Sequence, residues 1–372
     1  MLVGVPKEVK NHEYRVGLTP QSVREVVHNG HKVLVESGAG AGIGASDTDY
    51  KSAGADIVGD SSQVFAQCEL VIKVKEPQPF ERAMLRPDQI LFTYLHLAPD
   101  PEQTKDLVAS GCIAIAYETV TSPLGGLPLL APMSEVAGRL AIQAGAHCLE
   151  KVNGGSGILI GGVPGVEPAK VVVIGGGVVG TNAAHIAIGM GANVYIVDRS
   201  TDVLKALSRQ FGNAIKTVYS TRGALEEHVL SADIVVGGVL IPGAAAPKLV
   251  TTDMIKGMKP GSVVVDVAID QGGCFETSRA TTHDDPTYVV DNIVHYCVAN
   301  MPGAVPRTST HALNNVTLPF VLKLAGLGYK EALNRDTHLR NGLNVHKGEI
   351  TYKEVAEDLG YGYRDALEAI NS

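Results

Sequence analysis

At 372 residues the chain is long enough for two or three compact domains, and 45% hydrophobic against 19% charged residues excludes a disordered polymer. The 42 glycines follow no collagen-like period, so their excess belongs to turns and close backbone approaches. A formal charge of -8 with no lysine or arginine cluster argues against a nucleic-acid partner.

The first residues, MLVGVPKEVK, carry no charged segment followed by a long apolar run, so no secretory signal is expected. Residues 2–5 read as a strand. Thr19 and Pro20 open a helix as N-cap and first helical residue; Val23, Val26 and Val27 give it an apolar face, and Gly30 stops it. Further strands are expected at 32–36, 70–75, 90–95 and 112–117, making a sheet of about five strands. Around Pro132 begins a long helix rich in Ala and Gly, whose small side chains allow a neighbouring backbone to come close. A glycine-rich loop at 153–168 leads to a second α/β block from Lys170 to about Val298. After Asn300 the chain is loop-like to Thr310, then helical from His311 to about Gly326.

The tail has few strands of its own and must pack on something, most economically the first domain. The expected architecture is α/β: two Rossmann-like, doubly wound parallel-sheet domains joined by long helices. Residues 1–130 plus 305–372 form one domain and 131–304 the other. Residues 171–197 lack Asp, Glu, Lys and Arg and are long enough to cross a bilayer, but Gly175, Gly176, Gly177, Gly180, Gly189 and Gly191 break them into strand, turn, helix and strand. No membrane partner is expected. Cys68, Cys112, Cys148, Cys274 and Cys297 are odd in number and scattered, which fits reduced thiols in a cytoplasmic protein.

The second block opens with VVVIGGGVVG, residues 171–180, placing a G-x-G-x-x-G motif at Gly175, Gly177 and Gly180 directly after an apolar strand. The first glycine serves the tight turn, the second lets backbone approach a pyrophosphate, and the third lets helix pack on strand. The helix N-terminus offers N–H groups to the phosphates. A second strand ends at Asp198, 18 residues past Gly180. An acid there accepts the ribose hydroxyls and repels a 2′-phosphate, which favours NAD over NADP, although neighbouring Arg199 is a group that could hold such a phosphate. Strands at 233–238 and 262–268 end near small or polar residues. Ligands of open α/β sheets bind beyond the carboxyl ends of strands, so Val239, Leu240, Val267, Ala268, Ile269, Asp270, Val298, Ala299, Asn300 and Met301 are candidate cofactor contacts.

In the first domain, Lys75 closes one expected strand, His96 follows another and Arg15 lies after the first. Parallel strands would bring these to one rim. Arg15 and Lys75 then form an anion clamp, and His96 exchanges protons near neutrality. Singly, each cation reads as a solvated surface residue and His96 as a hydrogen-bonded structural histidine. Asp270, at the end of a strand in the other domain, falls beside the expected nicotinamide. Together, across a cleft, the groups suit reversible oxidation of a small charged acid. No histidine has metal-ligand spacing, so no metal is expected.

The segments GVPKE (4–8), RVGLTP (15–20), KVKEP (73–77), YLHLA (94–98), GGGVVGTNA (175–183) and NMPGAVPRTST (300–310) resemble the alanine dehydrogenase/nicotinamide nucleotide transhydrogenase family, and within it the bacterial L-alanine dehydrogenases. The similarity spans essentially the whole chain. It implies NAD-dependent, reversible oxidative deamination of L-alanine to pyruvate and ammonium by a cytoplasmic homohexamer. It also implies that Arg15 and Lys75 hold the carboxylate, that His96 is the general acid/base, and that Asp270 is its partner near the amine and water. By the same resemblance Ser134, Val178, Val179, Asp198, Ser220 and Arg279 contact the cofactor. Val203 stands where some members carry a basic residue near the adenosine, and Leu327 where some carry a histidine tied to magnesium; neither contact carries over. Two alternatives remain at this point: the NAD-binding component of a transhydrogenase, and an NAD-sensing protein that does no chemistry.

Overall fold

The computed structural model describes residues 1–239 and 246–372. Two compact units emerge, one of Met1–Met133 with Val305–Ser372 and one of Ser134–Ala304.

The first unit contains β1 (Leu2–Val5), β2 (Lys32–Glu36), β3 (Asp56–Val58), β4 (Leu70–Ile72), β5 (Ile90–Thr93) and β6 (Ile113–Ala116). The second contains β7 (Lys170–Ile174), β8 (Asn193–Asp198), β9 (Ile215–Tyr219), β10 (Ile234–Gly237), β11 (Val263–Asp266), β12 (Thr287–Val290) and β13 (Ile293–Tyr296). The tail returns β14 (Leu343–His346) and β15 (Glu349–Ile350) to the first unit. Its sheet runs β15-β14-β6-β5-β4-β1-β2-β3, and the other runs β12-β13-β11-β10-β7-β8-β9. Each holds six mutually parallel strands in the doubly wound order 3-2-1-4-5-6, edged by antiparallel strands. Runs such as Val171–Ile174 and Val263–Val265 are wholly buried, as β-branched strands covered on both faces must be.

The first sheet has eight strands where about five were expected. Strand β3 is three residues long with Asp56 exposed, β15 is two residues long, and β14 is interrupted by Asn344, so none carries a legible apolar run. The expected strands 70–75 and 90–95 stop at Ile72 and Thr93. Beyond those points side chains claim the amides: Val74 N–H donates to Glu8 at 2.6 Å, and Leu95 N–H to Glu118 at 3.1 Å.

Thr19 caps the helix Pro20–His28, its hydroxyl accepting from Ser22 N–H at 3.1 Å. The long helix Ala131–Cys148 needs its small residues, since a Cβ on Gly138 would stand 2.2 Å from the Val179 carbonyl. The helix expected from His311 begins earlier, at Pro306, and runs to Leu327. Pro306 sits at its first helical position, where the missing N–H costs nothing, and the polar RTST run is helical rather than loop. Asn314 ties this helix to the N-terminal segment, accepting from Thr19 N–H at 2.9 Å and donating to the Gly17 carbonyl at 3.2 Å.

Candidate active site

Arg15, Lys75 and His96 follow β1, β4 and β5, which are neighbours and mutually parallel, so all three lie at one carboxyl edge. Strands β1 and β4 also flank the point where the strand order reverses, the usual ligand position in such sheets. Arg15 is 2% exposed. Its guanidinium donates to both Glu13 carboxylate oxygens, Nε to Oε1 at 2.7 Å and Nη2 to Oε2 at 2.6 Å, and Nη1 reaches Met133 Sδ at 3.0 Å. Burial pulls the guanidinium pKa down, but bonding to Glu13 outweighs it and leaves it raised. The expected fork is therefore closed on a protein carboxylate. The Lys75 ammonium has no ion pair among the described residues; burial first, then Arg15 among its neighbours, lower its pKa against the opposing pull of Glu76. A half-buried cation with no ion pair among the described residues is costly to keep charged, which suits it to receive an anion.

His96 is exposed, with φ +50°, a left-handed conformation unusual outside glycine. Glu118 imposes it: the carboxylate accepts from Leu95 N–H and, at 2.6 Å, from His96 N–H, while one oxygen lies 3.9 Å from His96 Nδ1. The imidazole stacks on Tyr94 at 5.9 Å between centroids, and the Tyr94 hydroxyl is anchored on the Leu129 carbonyl at 2.5 Å. Sequence reading missed Glu13 and Glu118. An acid two residues before an arginine is a recognisable signal, whereas nothing in sequence links Glu118 to a histidine 22 positions away.

In the second unit β7 and β10 flank the reversal of strand order, and the glycine turn follows β7. Gly175 has φ +96° and its Cβ would stand 2.9 Å from the Gly238 carbonyl. A Cβ on Gly180 would lie 1.8 Å from the Gly175 carbonyl, so both glycines are required by the turn itself. Gly177 differs: a Cβ there would meet nothing within 4 Å among the described residues. The space beside it is open, and the helix it precedes, Val178–Gly189, has no side-chain cap on its N-terminal amides among the described residues. These features fit a dinucleotide pyrophosphate. Asp198 ends β8 and is held in place, one oxygen accepting from Gly176 N–H and the other from Ser200 N–H, both at 2.7 Å. Val203 packs against the turn, since its Cγ1 would be 2.6 Å from a Cβ on Gly176.

Ser220 follows β9, Val239 follows β10, Val267, Ala268 and Ile269 follow β11, and Val298, Ala299, Asn300 and Met301 follow β13, all at the carboxyl edge of parallel strands. Val179, Ala268, Ile269, Val298 and Met301 are buried, so their backbone is what they offer. Ser134 lies near the start of the helix Ala131–Cys148. Arg279 is not at a strand end; its guanidinium lies 4.0 Å above the Tyr288 ring. Leu240 lies outside the described residues. Asp270 does not end a strand as expected: β11 stops at Asp266, and Asp270 sits in the one-turn helix Val267–Gln271 that follows. The strand ends early because the Asp266 carboxylate turns back to cap that turn, accepting from Ala268 N–H at 3.2 Å.

Residues 4–137 match the family described as alanine dehydrogenase/PNT, N-terminal domain, and residues 141–353 its C-terminal domain. The chain is 60% identical over 370 residues to the alanine dehydrogenase of Halomonas elongata, covering 100% of both chains. It is 56% identical over 371 residues to that of Bacillus subtilis, covering 100% of this chain and 98% of the relative. A solved L-alanine dehydrogenase superposes with a TM-score of 0.94 at 51% identity, covering 97% of this chain and 99% of that one. A transhydrogenase from Sinorhizobium meliloti shares the fold, with a TM-score of 0.83 at 24% identity over 94% of this chain and 100% of that one.

Proposed function

The chain belongs to the alanine dehydrogenase/PNT family, and from that premise we propose that it catalyses the NAD-dependent, reversible oxidative deamination of L-alanine to pyruvate and ammonium. The first unit is the substrate domain and the second the NAD-binding domain. The observation that carries the reading is Lys75, a half-buried cation without an ion pair among the described residues, on the same sheet edge as Arg15 and an exposed imidazole. A small carboxylate with an adjacent carbon to oxidise suits that set. The family also points to a cytoplasmic homohexamer.

NAD, when bound, supplies the acceptor for the hydride that leaves Cα of the amino acid. Ser134, Gly175, Gly177, Val178, Val179, Gly180, Asp198, Ser220, Val239, Leu240, Val267 to Asp270, Arg279 and Val298 to Met301 would hold it, chiefly through backbone. Arg15 and Lys75 bind and orient the substrate carboxylate, and Glu13 fixes the plane of the guanidinium so that little freedom is lost on binding. His96 gives and takes a proton at the substrate oxygen or the attacking water, while Glu118 holds its backbone in place. Asp270 is the second group that moves a proton, acting at the amine and the water.

Mixing L-alanine with NAD and following NADH absorbance tests the reading: a rise with L-alanine is expected, and its absence leaves the transhydrogenase component or a non-catalytic NAD sensor. Two variants test its parts. Arg15→Lys keeps the charge but loses the paired bonds to Glu13, so KM for alanine and pyruvate should rise about ten- to hundred-fold with kcat changing less. An unchanged KM would remove the clamp. Asp198→Gly removes a charged acceptor, a loss of roughly 1.5–3 kcal/mol. The ratio of kcat/KM for NAD over NADP should accordingly fall about ten- to hundred-fold. Initial rates with both cofactors decide; an unaltered ratio assigns the selectivity elsewhere.

A further inference from the structure

The segment after β11 has one short turn of helix, Val267–Gln271, and then no regular element until β12 at Thr287, although it carries Asp270. Backbone bonds tie part of it, Leu249 and Val250 N–H donating to the Cys274 carbonyl and Glu276 N–H to that of Val250, and the side chain that gathers the rest is Asp266. This carboxylate is 0% exposed and paired with no cation among the described residues. It gathers the segment around itself: Oδ1 accepts from Ala268 N–H at 3.2 Å, and Oδ2 from Cys274 N–H at 3.0 Å and the Ser278 hydroxyl at 2.5 Å. Gly273, with φ +76°, lies so close that a Cβ would stand 2.4 Å from Oδ2. From outside, the Lys248 ammonium donates to the Gly272 carbonyl at 2.5 Å and the Phe275 carbonyl at 3.0 Å. An anion collects the amides and a cation the carbonyls of one short stretch, 272–275.

A buried carboxylate without a countercharge is expensive, and protein hydrogen-bond donors must replace the water it loses. At a central strand end an apolar side chain would pack without that cost, so the arrangement is explained by the geometry it imposes. We propose that Asp266 is the positioning residue of the reaction: it holds the turn that presents Asp270, touching neither substrate nor cofactor itself. This rests on the role given above to Asp270.

A double-mutant cycle on the full-length enzyme tests it. Asp266→Asn keeps the shape but turns one acceptor oxygen into a donor NH2, which cannot face Ala268 N–H on one side and Cys274 N–H with Ser278 on the other. Displacing a reacting group by about 1 Å costs on the order of 10²-fold, so kcat for deamination should fall by about 10- to 100-fold while KM for alanine moves little. In an Asp270→Asn background the same change should add almost nothing, because the two act as one unit. Equal fractional losses in both backgrounds would overturn the proposal and make Asp266 merely structural. An Asp270→Asn enzyme with unimpaired kcat would instead overturn the role of Asp270. If Asp266→Asn does not fold, Ser278→Ala, which removes a single bond from the carboxylate, carries the same cycle: a smaller kcat loss that vanishes in Asp270→Asn supports the proposal, and a loss that persists there refutes it.

Discussion

Replacing His96 with alanine is expected to lower kcat for alanine oxidation by about 10²- to 10⁴-fold, the usual contribution of a positioned acid/base, and to leave the protein folded. The second half of that expectation follows from where the ring lies. His96 is exposed, outside the buried core of the first unit, and its place in the chain is fixed through its amide, which donates to Glu118 at 2.6 Å. Alanine keeps that amide, and although φ +50° suits it less well than histidine, the added backbone cost is small against the stability of the fold. The substitution therefore removes the imidazole and its stacking on Tyr94 and little else. Thermal melting beside steady-state kinetics is the check: loss of turnover with an unchanged melting transition supports the assignment. Turnover within a few-fold of the parent would mean that another group, or water alone, moves the proton.

Much of this site is legible in sequence because strands in such a fold point their carboxyl ends the same way. Recognising 2–5 and 90–95 as strands is enough to bring Arg15 and His96 to one edge, and the glycine turn announces its own position through a rare spacing. Features that depend on contacts distant in sequence were not legible. Nothing in GVPKE or KVKEP says that Glu8 reaches across to β4, and so Lys73 and Lys75 look alike on paper. They part because β4 ends at Ile72: Lys73 is taken inward by two glutamates, while Lys75, at the edge, has no ion pair among the described residues.

The same limit explains the strand ends. An apolar run continues as a strand only while its amides find a neighbouring strand, and Glu8, Glu118 and Asp266 each take amides near a strand end. Runs judged by hydrophobicity alone are therefore too long at the very edge where the functional groups lie. Asp270 was placed correctly after β11 and wrongly at its end for this reason. Antiparallel additions such as β14 and β15 escape for the opposite reason, being too short and polar to register as strands before β6 gives them an edge to pair with.

Lys73 supplies the largest expected effect on stability. Its ammonium is 0% exposed and lies 3.1 Å from Glu8 Oε2 and 2.8 Å from Glu81 Oε1, one cation shared by two buried acids. Each acid also works locally, Glu8 accepting from Val74 N–H at 2.6 Å and Glu81 from Gln78 N–H at 2.7 Å at the start of the helix Pro79–Arg82. Lys73→Met preserves the volume but leaves two carboxylates together in the interior, and breaking a buried pair from one side typically costs about 3–5 kcal/mol. Denaturant unfolding should show that loss at neutral pH. Burial already raises the Glu8 pKa, and loss of the ammonium removes the charge opposing that shift. A carboxyl whose folded pKa lies above its unfolded value binds protons more readily when folded, so the variant should recover stability as pH falls through that raised value, where the parent gains less. Adding Glu81→Gln, which deletes one of the two stranded charges, should recover part of the loss at neutral pH. A Lys73→Met protein as stable as its parent, with the same pH dependence, would show that solvent or rearrangement reaches these acids and that the triad does not hold β4 to the N-terminal segment.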